Sequence, residues 1–329
     1  MARVVRFYQH GGPEVLRIES ADIPPPGPGE VQIRVKALGL NRAEALLRSG
    51  TYIENPPLPS GLGLEAAGIV EAVGFGAEGF QPGDVVSVIP PISMVRWPAY
   101  GELATFPVEH IVRHPPSLDW GTAASVWMQY LTAYGALIEI SKLHAGDFVV
   151  ITAASSSVGI AAIQIANMVG ATAIAVTRTS KKKAALFEVG AKHVIAAAEG
   201  DLGSRLTEIA GTVGVRVVLD AIGGPILGPL SSAMAKGGIL IEYGGLSREP
   251  TLFPLFTVLS KMLTVRGYLV HEIVSHPSRL AAAKKFIIEG LSAGSLKPII
   301  ARTFRFDQIV EAHHFLESTE QIGKIVVTL

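Results

Sequence analysis

A short turn rich in alanine and serine separates a buried strand from a helix in the middle of the chain. Phe148–Ala153 is β-branched and uncharged, which is typical of a strand buried on both faces, and Ile160–Val169 suits a helix packed on a sheet. The turn between them reads A-x-S-x-x-G and ends at Gly159. It occupies the place of the G-x-G-x-x-G fingerprint, where small residues let a pyrophosphate approach backbone N–H groups.

Cations follow the second strand of this unit, Ala173–Val176, where sites that prefer NAD carry an acid for the ribose 2′-hydroxyl. Here the chain has Thr177, Arg178 and, a few residues on, Lys182. A hydroxyl and positive charges suit a 2′-phosphate, so the sequence predicts NADP(H) as cofactor. The alternative is an ordinary turn before a solvated basic helix, although basic residues at a helix start oppose the macrodipole.

Length and composition bound the remaining possibilities. The 329 residues predict two domains, and 49% hydrophobic and 17% charged residues describe a globular enzyme. Lys+Arg and Asp+Glu both total 28, which gives no argument for nucleic acid or an anionic membrane. The absence of cysteine excludes disulfides, thiolate nucleophiles and cysteine-ligated zinc. Without a membrane-length apolar run or a secretory signal, we expect a cytoplasmic protein.

The elements before the turn are short strands with glycine and proline between them. Residues 2–8 and 14–20 predict a hairpin, Glu30–Gly39 a long strand, and Asn41 opens a short helix, where asparagine commonly serves as N-cap. About the first 120 residues therefore predict a compact β-rich domain.

After the turn, strands and helices alternate, with six strands predicted in all, which indicates a doubly wound sheet. A strand-helix-strand tail from Ile299 to Thr328 is too small to be a domain, so we expect it to return to the first domain.

Several segments together resemble the zinc-independent medium-chain dehydrogenase/reductase superfamily, in particular its quinone oxidoreductases of the zeta-crystallin type and their enoyl-reductase relatives. The segments are GPGEVQIRVKALGLNRAEALLRSGTY, GLEAAGIVEAVG, PGDVV, TAASSSVGIAAIQIA and the terminal GKIVV. The resemblance implies an α/β fold with a GroES-like β-rich catalytic domain at 1–126. An NADP(H)-binding Rossmann domain with a six-stranded parallel sheet would follow at 127–268, and a C-terminal return to the catalytic domain at 269–329.

The departures from the superfamily concern zinc. Its zinc alcohol dehydrogenases have a cysteine where this chain has Asn41 and a His-Glu pair where it has Leu64-Glu65, and the four-cysteine zinc loop has no counterpart. The adjacent pair His313-His314 falls in a predicted helix, where consecutive residues point apart. We therefore expect no metal, and an acceptor such as a quinone or a conjugated C=C, whose reduction needs less electrophilic help than a simple ketone.

The resemblance places Asn41 and Tyr52 beside the nicotinamide, with Tyr52 at the position where enoyl-thioester reductases have an acid tyrosine. A tyrosine is protonated at neutral pH and can donate to an enolate. Glu65 stands where the family keeps a glutamate near the site. The alternatives are an N-cap for Asn41, a packed loop aromatic for Tyr52 and a structural partner for Glu65.

The resemblance also implies a set of cofactor contacts on both sides of the turn. Thr132 is similar to a nicotinamide-side threonine, although a helix cap is an alternative, and Lys324 either reaches the cofactor or is a solvated strand residue. The remaining expected contacts meet the pyrophosphate or the 2′-phosphate, or border the cofactor from the ends of strands. They are Ser156, Val158, Gly159, Thr177, Arg178, Lys182, Tyr243, Gly244, Tyr268 and Leu269.

The proposed activity is NADPH-dependent hydride transfer to quinones or other conjugated carbonyls (enones, enals). The alternatives are an enoyl-thioester reductase, a zinc-type alcohol dehydrogenase, and a non-catalytic NADPH-binding or sensor protein. We expect a homodimer joined at the edge strand Thr264–Tyr268, with a small-molecule substrate, no nucleic acid and no membrane partner. The apolar loop Pro90–Pro98 would wall a pocket, form a lid or pack on its own core or on a partner subunit.

Overall fold

The computed structural model describes residues 1–115 and 117–329. The chain forms two compact units: a split unit of Met1–Met128 with Pro298–Leu329, and a central unit of Gln129–Lys297. None of the helices in the described ranges is long and apolar enough to cross a membrane.

Within these described ranges, fifteen strands and eleven α-helices are numbered in chain order. The strands are β1 Ala2–Phe7, β2 Leu16–Ala21, β3 Glu30–Leu40, β4 Ala66–Val73, β5 Val85–Val88, β6 Leu103–Pro107, β7 Ile111–Arg113, β8 Phe148–Ile151, β9 Thr172–Thr177, β10 His193–Ala196, β11 Val215–Asp220, β12 Met234–Glu242, β13 Thr264–Gly267, β14 Ile300–Arg305 and β15 Lys324–Thr328. The helices are α1 Arg42–Ser49, α2 Trp120–Ala123, α3 Trp127–Tyr134, α4 Ser157–Met168, α5 Lys183–Val189, α6 Leu202–Ala210, α7 Leu227–Ser232, α8 Leu255–Lys261, α9 His271–Val274, α10 Pro277–Ser292 and α11 Ile309–Ser318.

The split unit is built around β3, the longest strand. In a seven-stranded sheet of order β14-β15-β3-β4-β5-β7, β3 pairs antiparallel with β15 and β4, and its first half also pairs with β6. Most β3 side chains on both faces are buried, because one face packs in the main apolar core and the other meets α2. The pairing of β15 with β3 places the end of the chain in the sheet of the split unit.

The central unit is a six-stranded, fully parallel sheet of order β10-β9-β8-β11-β12-β13. Sequence order therefore reverses between β8 and β11, which in doubly wound folds is the switch point where ligands bind beyond the carboxyl ends of the strands. The inner strands are almost wholly apolar and buried, as parallel strands covered by helices must be. This confirms the predicted six-stranded sheet.

The predicted domain boundary at 268/269 needs correction, because residues 269–297 belong to the central unit and the chain crosses to the split unit only at Pro298. The reason is the apolar face of α10, whose Ala283 and Ile287 are fully buried. On the same helix, the Phe286 ring lies 5.2 Å from that of Tyr134. A helix with such a face remains with the core that covers it.

Candidate active site

The turn after β8 shapes the start of α4. Ala153 adopts a left-handed conformation with φ 45°, and Ser156 is the N-cap, its Oγ accepting a hydrogen bond from Gly159 N at 3.1 Å. A Cβ on Gly159 would lie 2.6 Å from the backbone of Ala154, so glycine lets the helix pack directly on the strand end. Because Ser156 caps the helix, the turn offers an ordered helix N-terminus of the kind that binds phosphate.

Beyond β9, the cations lie on the surface beside this turn. Thr177 is buried at the strand end, Arg178 is exposed, and Lys182 donates from Nζ to Ser155 Oγ at 3.0 Å. The sequence did not anticipate Glu199, which comes from the segment after β10 and accepts from Ser180 N and Oγ at 2.8 and 3.1 Å. Ser180 is therefore engaged, whereas Lys182 reaches the turn through Ser155.

Gly244 and Tyr268, two of the predicted cofactor contacts, come just after the ends of β12 and β13, and another predicted contact, Thr132, lies in α3. A Cβ on Gly244 would approach the Ala221 carbonyl oxygen at 2.9 Å. Tyr268 is 3% exposed, and its hydroxyl donates to the Leu131 carbonyl of α3 at 3.3 Å, which makes it a core residue of this unit. Thr132 is buried in the sixth position of α3, which excludes the N-cap alternative.

The other two strand-end residues, Tyr243 and Leu269, differ in environment. The Tyr243 hydroxyl is hydrogen-bonded to Ser156, and burial and the charge of Asp220 raise its pKa. Leu269 is 41% exposed. Cofactor contact by any of these residues stays a prediction.

In the split unit, a lysine from β15 connects two of the predicted catalytic residues. Lys324 is 1% exposed, and its Nζ donates to Asn41 Oδ1 and to Glu65 Oε2, each at 2.6 Å. Glu65 is fully buried, and its Oε1 accepts from Met128 N at 3.2 Å. The alternative of a solvated Lys324 is therefore wrong.

Glycine at position 39 makes room for this cluster. A Cβ there would lie 1.9 Å from the Ala124 carbonyl oxygen, 2.7 Å from Lys324 Cε and 3.1 Å from Glu65 Oε2. Any larger residue would displace the lysine or the backbone of α2.

Asn41 is the N-cap residue of α1, which was the alternative role given to it above. Its side-chain amide, however, points towards Lys324. Its Oδ1 accepts from Lys324, and its Nδ2 donates to the Gly39 carbonyl at 3.0 Å and to Glu44 Oε1 at 3.3 Å. Both amide hydrogens therefore have acceptors within the protein. Asn41 is well placed to hold Lys324 and poorly placed to donate to a substrate oxygen.

Glu44 collects the hydrogen bonds around Asn41 and was not anticipated from the sequence. Completely buried, it accepts from Asn41 N, from Leu64 N at 3.0 Å and from the Tyr100 hydroxyl at 3.0 Å. Burial raises the pKa of Glu44 to about 7, against the opposing effects of these bonds and of the Lys324 charge.

The Tyr100 hydroxyl also lies 3.3 Å from His313 Nε2. Burial, with the nearby Arg48 charge, lowers the pKa of His313 to about 3, so this imidazole is neutral. His314 is exposed, which confirms that the adjacent histidines point apart.

Tyr52 differs from Asn41 because its hydroxyl makes no hydrogen bond to the residues that the structure describes. The side chain is partly buried against the split unit's core. Burial, followed by the charges of Glu54 and Glu44, raises its pKa to about 12. Tyr52 therefore carries its proton at neutral pH and has a hydroxyl able to donate it.

The loop Pro90–Pro98 has two roles. Met94 is 1% exposed and belongs to the split unit's core, as one alternative held. Val95, Trp97 and the end of the loop line a cleft of about 650 Å³ within the same unit, with the Trp97 indole donating to Glu30 Oε1 at 3.3 Å.

The residues at the zinc-enzyme positions do not suit a metal. Asn41 and Glu65 hold an ammonium group between them, and Leu64 has no donor side chain. Within 1–115 and 117–329, no three His, Asp or Glu side chains come together as a metal site. Because the Lys324 ammonium already occupies the oxygen atoms at these positions, the site does not fit Zn²⁺.

Comparisons with known proteins agree with this geometry. Two family models match: "Alcohol dehydrogenase GroES-like domain" over residues 27–115 and "Zinc-binding dehydrogenase" over residues 157–288. Quinone oxidoreductase of Pongo abelii is 31% identical over 332 residues, covering 100% of this chain and 98% of that protein. A 2-haloacrylate reductase of Burkholderia sp is 29% identical, covering 99% and 98%.

Among solved structures, Escherichia coli quinone oxidoreductase complexed with NADPH superposes with a TM-score of 0.92 at 29% identity, covering 100% of both chains. Its likeness extends to both units, the GroES-like split unit and the Rossmann-type central unit. From full-length identity and shared fold together, the chain belongs to the quinone oxidoreductase family of the medium-chain dehydrogenase/reductase superfamily.

Proposed function

We propose that this protein is an NADPH-dependent, zinc-independent oxidoreductase that reduces quinones or other conjugated carbonyls. The observation that carries the proposal is the turn after β8, where a capped helix N-terminus meets a lysine that reaches Ser155. Thr177 ends β9 and the exposed Arg178 follows it, in place of an acid. This arrangement favours a 2′-phosphorylated dinucleotide. The NADPH complex of the Escherichia coli relative supports the same cofactor.

NADPH would supply the hydride, and the protein's own residues would bind and orient the reactants and supply a proton. Val158 would offer its backbone N–H to the pyrophosphate beside the cap that Ser156 forms with Gly159, and Arg178 and Lys182 would pair with the 2′-phosphate. Tyr52 is the donor that best fits the acceptor's developing oxyanion, because its hydroxyl is protonated and has no partner among the described residues. Asn41 and Glu65 would act as positioning residues for Lys324.

A conjugated acceptor fits these groups better than a saturated ketone. The donor set at the zinc-enzyme positions holds Lys324, so carbonyl polarisation by a metal has no ligands there. In a quinone or enone, the charge that hydride brings spreads onto an oxygen, where one hydrogen-bond donor has a large effect. The relative named 2-haloacrylate reductase supports extending the acceptors beyond quinones.

Steady-state assays with NADPH and NADH against a quinone, an enone, an enoyl thioester and a saturated ketone test the proposal. We expect turnover with NADPH and at least one of the first two acceptors. Turnover of the saturated ketone alone would indicate alcohol dehydrogenase chemistry, and preference for the thioester an enoyl-thioester reductase. NADPH binding without turnover on any acceptor would favour the sensor alternative.

We also propose a homodimer in which two copies of β13 pair edge to edge. This strand has one neighbour in its sheet, so its outer N–H and C=O groups lack strand partners. Large apolar side chains nearby are exposed, among them Phe253 at 56%, Phe256 at 83%, Leu259 at 62% and Met262 at 67%. Light scattering of wild type and Phe256→Glu tests the interface: we expect a dimer that the charge weakens, and a monomeric wild type would contradict the proposal.

A further inference from the structure

Two acids lie side by side at the carboxyl end of the central sheet, on neighbouring parallel strands. Asp220 ends β11 and Glu242 ends β12, and the strand register pairs these two residues directly. Asp220 is 0% exposed, and both carboxyl oxygens of Glu242 are buried as well. Two buried carboxylates in contact would repel each other strongly, so the pair requires a cation or a proton.

The hydrogen-bond donors are divided unequally between the two acids. Asp220 accepts from Thr152 Oγ1, from Ile222 N at 3.0 Å and from Gly223 N at 2.8 Å. Neither oxygen of Glu242 accepts a hydrogen bond from the described residues, and the polar group it faces is the carboxyl of Asp220. This division indicates an ionised Asp220 and a protonated Glu242 that donates to it.

Among the described residues, the cations of the surrounding elements make no ion pair with these two acids. Arg266 of β13 binds both carboxylate oxygens of Glu272 at 2.7 Å. Lys261 of α8 donates to the carbonyls of Ser232 and Met234, at the opposite end of β12. Arg216 has a buried nitrogen with no partner among the described residues, but it lies four residues before Asp220, towards the opposite end of β11. The pair therefore holds its charge at −1 by means of a proton.

The same two strand ends connect to the turn that we propose binds the dinucleotide. Tyr243 directly follows Glu242, and its hydroxyl is hydrogen-bonded to Ser156, the N-cap of α4. Asp220 fixes the backbone of the segment after β11 through its bonds to Ile222 and Gly223. A second negative charge here would disturb that segment and oppose the dinucleotide phosphates.

We propose that Asp220 and Glu242 share one proton and that its loss weakens binding of the dinucleotide, so that the protein's affinity for NADPH depends on pH. The inference rests on the proposed function. Burial and the neighbouring Asp220 charge raise the pKa of Glu242 to about 8, which puts the change just above neutrality. Because the protonated form binds, affinity is highest below this pKa and falls as pH rises through it, by at most about tenfold per pH unit for one proton.

Fluorescence titration of NADPH below and above pH 8 tests the linkage with wild type, Glu242→Gln and the exposed control Glu249→Gln. We expect the dissociation constant to rise severalfold with pH in wild type and Glu249→Gln, and to stay nearly constant in Glu242→Gln. Equal pH dependence in all three would overturn the inference. Failure to bind NADPH at any pH would instead overturn the proposed function.

Two measurements keep the test decisive if Glu242→Gln folds poorly. Calorimetry of NADPH binding to wild type near pH 8, in buffers of different ionisation enthalpy, should show net proton uptake by the protein, and zero uptake would overturn the inference. Without cofactor, the melting temperature of wild type should fall relative to that of Glu242→Gln as pH rises towards 8, because the proton held in the folded state is then lost.

Discussion

The two units bury acidic groups by opposite means. In the split unit, Glu65 lies against the Lys324 ammonium at 2.6 Å, and Glu44 is surrounded by N–H and O–H donors. In the central unit, Asp220 accepts from Thr152, Ile222 and Gly223, and Glu242 has no donor among the described residues. In the split unit a lysine ammonium compensates Glu65, whereas in the central unit we propose that a proton, which solution pH can remove, compensates the acid pair.

The difference follows from where each cluster comes from in the sequence. Lys324 lies 259 residues beyond Glu65 and reaches it only because β15 returns to pair with β3. Asp220 and Glu242 are brought together by one β-α-β step within a single sheet. The ion pair of Glu65 and Lys324 therefore joins the two parts of the split unit, which are distant in sequence. The acid pair of the central unit instead makes the proposed cofactor affinity depend on pH.

Removing the cation should have the largest effect on stability. Lys324→Met leaves Glu65 buried without its counter-charge, and breaking a buried ion pair in this way costs about 3–5 kcal/mol. Urea unfolding measures the loss. Lys285→Met, which removes an exposed lysine 3.9 Å from Glu289, is the control and should change stability by less than about 1 kcal/mol. Equal small losses would mean that the buried pair does not hold the split unit together.

Substitution of Tyr52 tests whether the hydroxyl of this residue donates a hydrogen bond in the reaction. Loss of one donor to a developing oxyanion costs about 2.7–4 kcal/mol, so Tyr52→Phe should lower kcat for enones about a hundredfold or more. Quinones should lose less, because water can protonate their aromatic products. The control is Tyr8→Phe, an exposed tyrosine bound to Glu19. An equal, slight loss on both substrate classes would make Tyr52 a packing residue.

The two units should also differ in how their stability responds to pH. The pKa of Glu44 is raised from 4.5 to about 7, so the folded state binds its proton more tightly than the unfolded state does. Stability from this group is therefore complete below pH 4.5 and lost as pH rises towards 7, by about 3 kcal/mol in all. For Glu242 the corresponding loss continues to about pH 8.

Denaturant unfolding of wild type, Glu44→Gln and the exposed control Glu109→Gln across this range isolates the contribution of Glu44. Glutamine adds an N–H₂ group among existing donors, so Glu44→Gln should be less stable at every pH. The informative quantity is the slope: it should be flatter in Glu44→Gln than in the other two proteins. Parallel slopes would show that Glu44 stays ionised throughout.

In the central unit, Arg178 and Lys182 follow β9 beside the proposed nucleotide turn. A charge-assisted hydrogen bond to a phosphate contributes about 1.5–3 kcal/mol, so Arg178→Ala should weaken NADPH binding about ten- to hundredfold and leave NADH nearly unchanged. Titration of both cofactors measures this, with Arg205→Ala of α6 as control. Equal affinity of wild type for the two cofactors would contradict the predicted preference.

The sequence predicted the elements well and the side-chain partnerships less well. Periodicity and turn residues located the six parallel strands, and the A-x-S-x-x-G turn indicated the start of α4, because these signals are local. The Asn41–Lys324 bond joins residues 283 apart, and the Glu199–Ser180 bond depends on how the segment after β10 folds back, so neither leaves a local pattern. The Asp220–Glu242 pair was not predicted either, although each acid ends a strand of the central sheet.

The smallest expected effect comes from metal removal, and it tests the split unit's half of the comparison. At the positions where zinc alcohol dehydrogenases have ligands, Lys324 Nζ lies between Asn41 and Glu65, so a divalent ion would have to displace a buried ammonium group. Chelation should therefore leave turnover and melting temperature unchanged, and protein purified without a histidine tag should contain no stoichiometric zinc. Lys324→Met sharpens the test, because the same donors are then without their cation. If wild type lost zinc and activity together, the ammonium would not be the group that compensates Glu65.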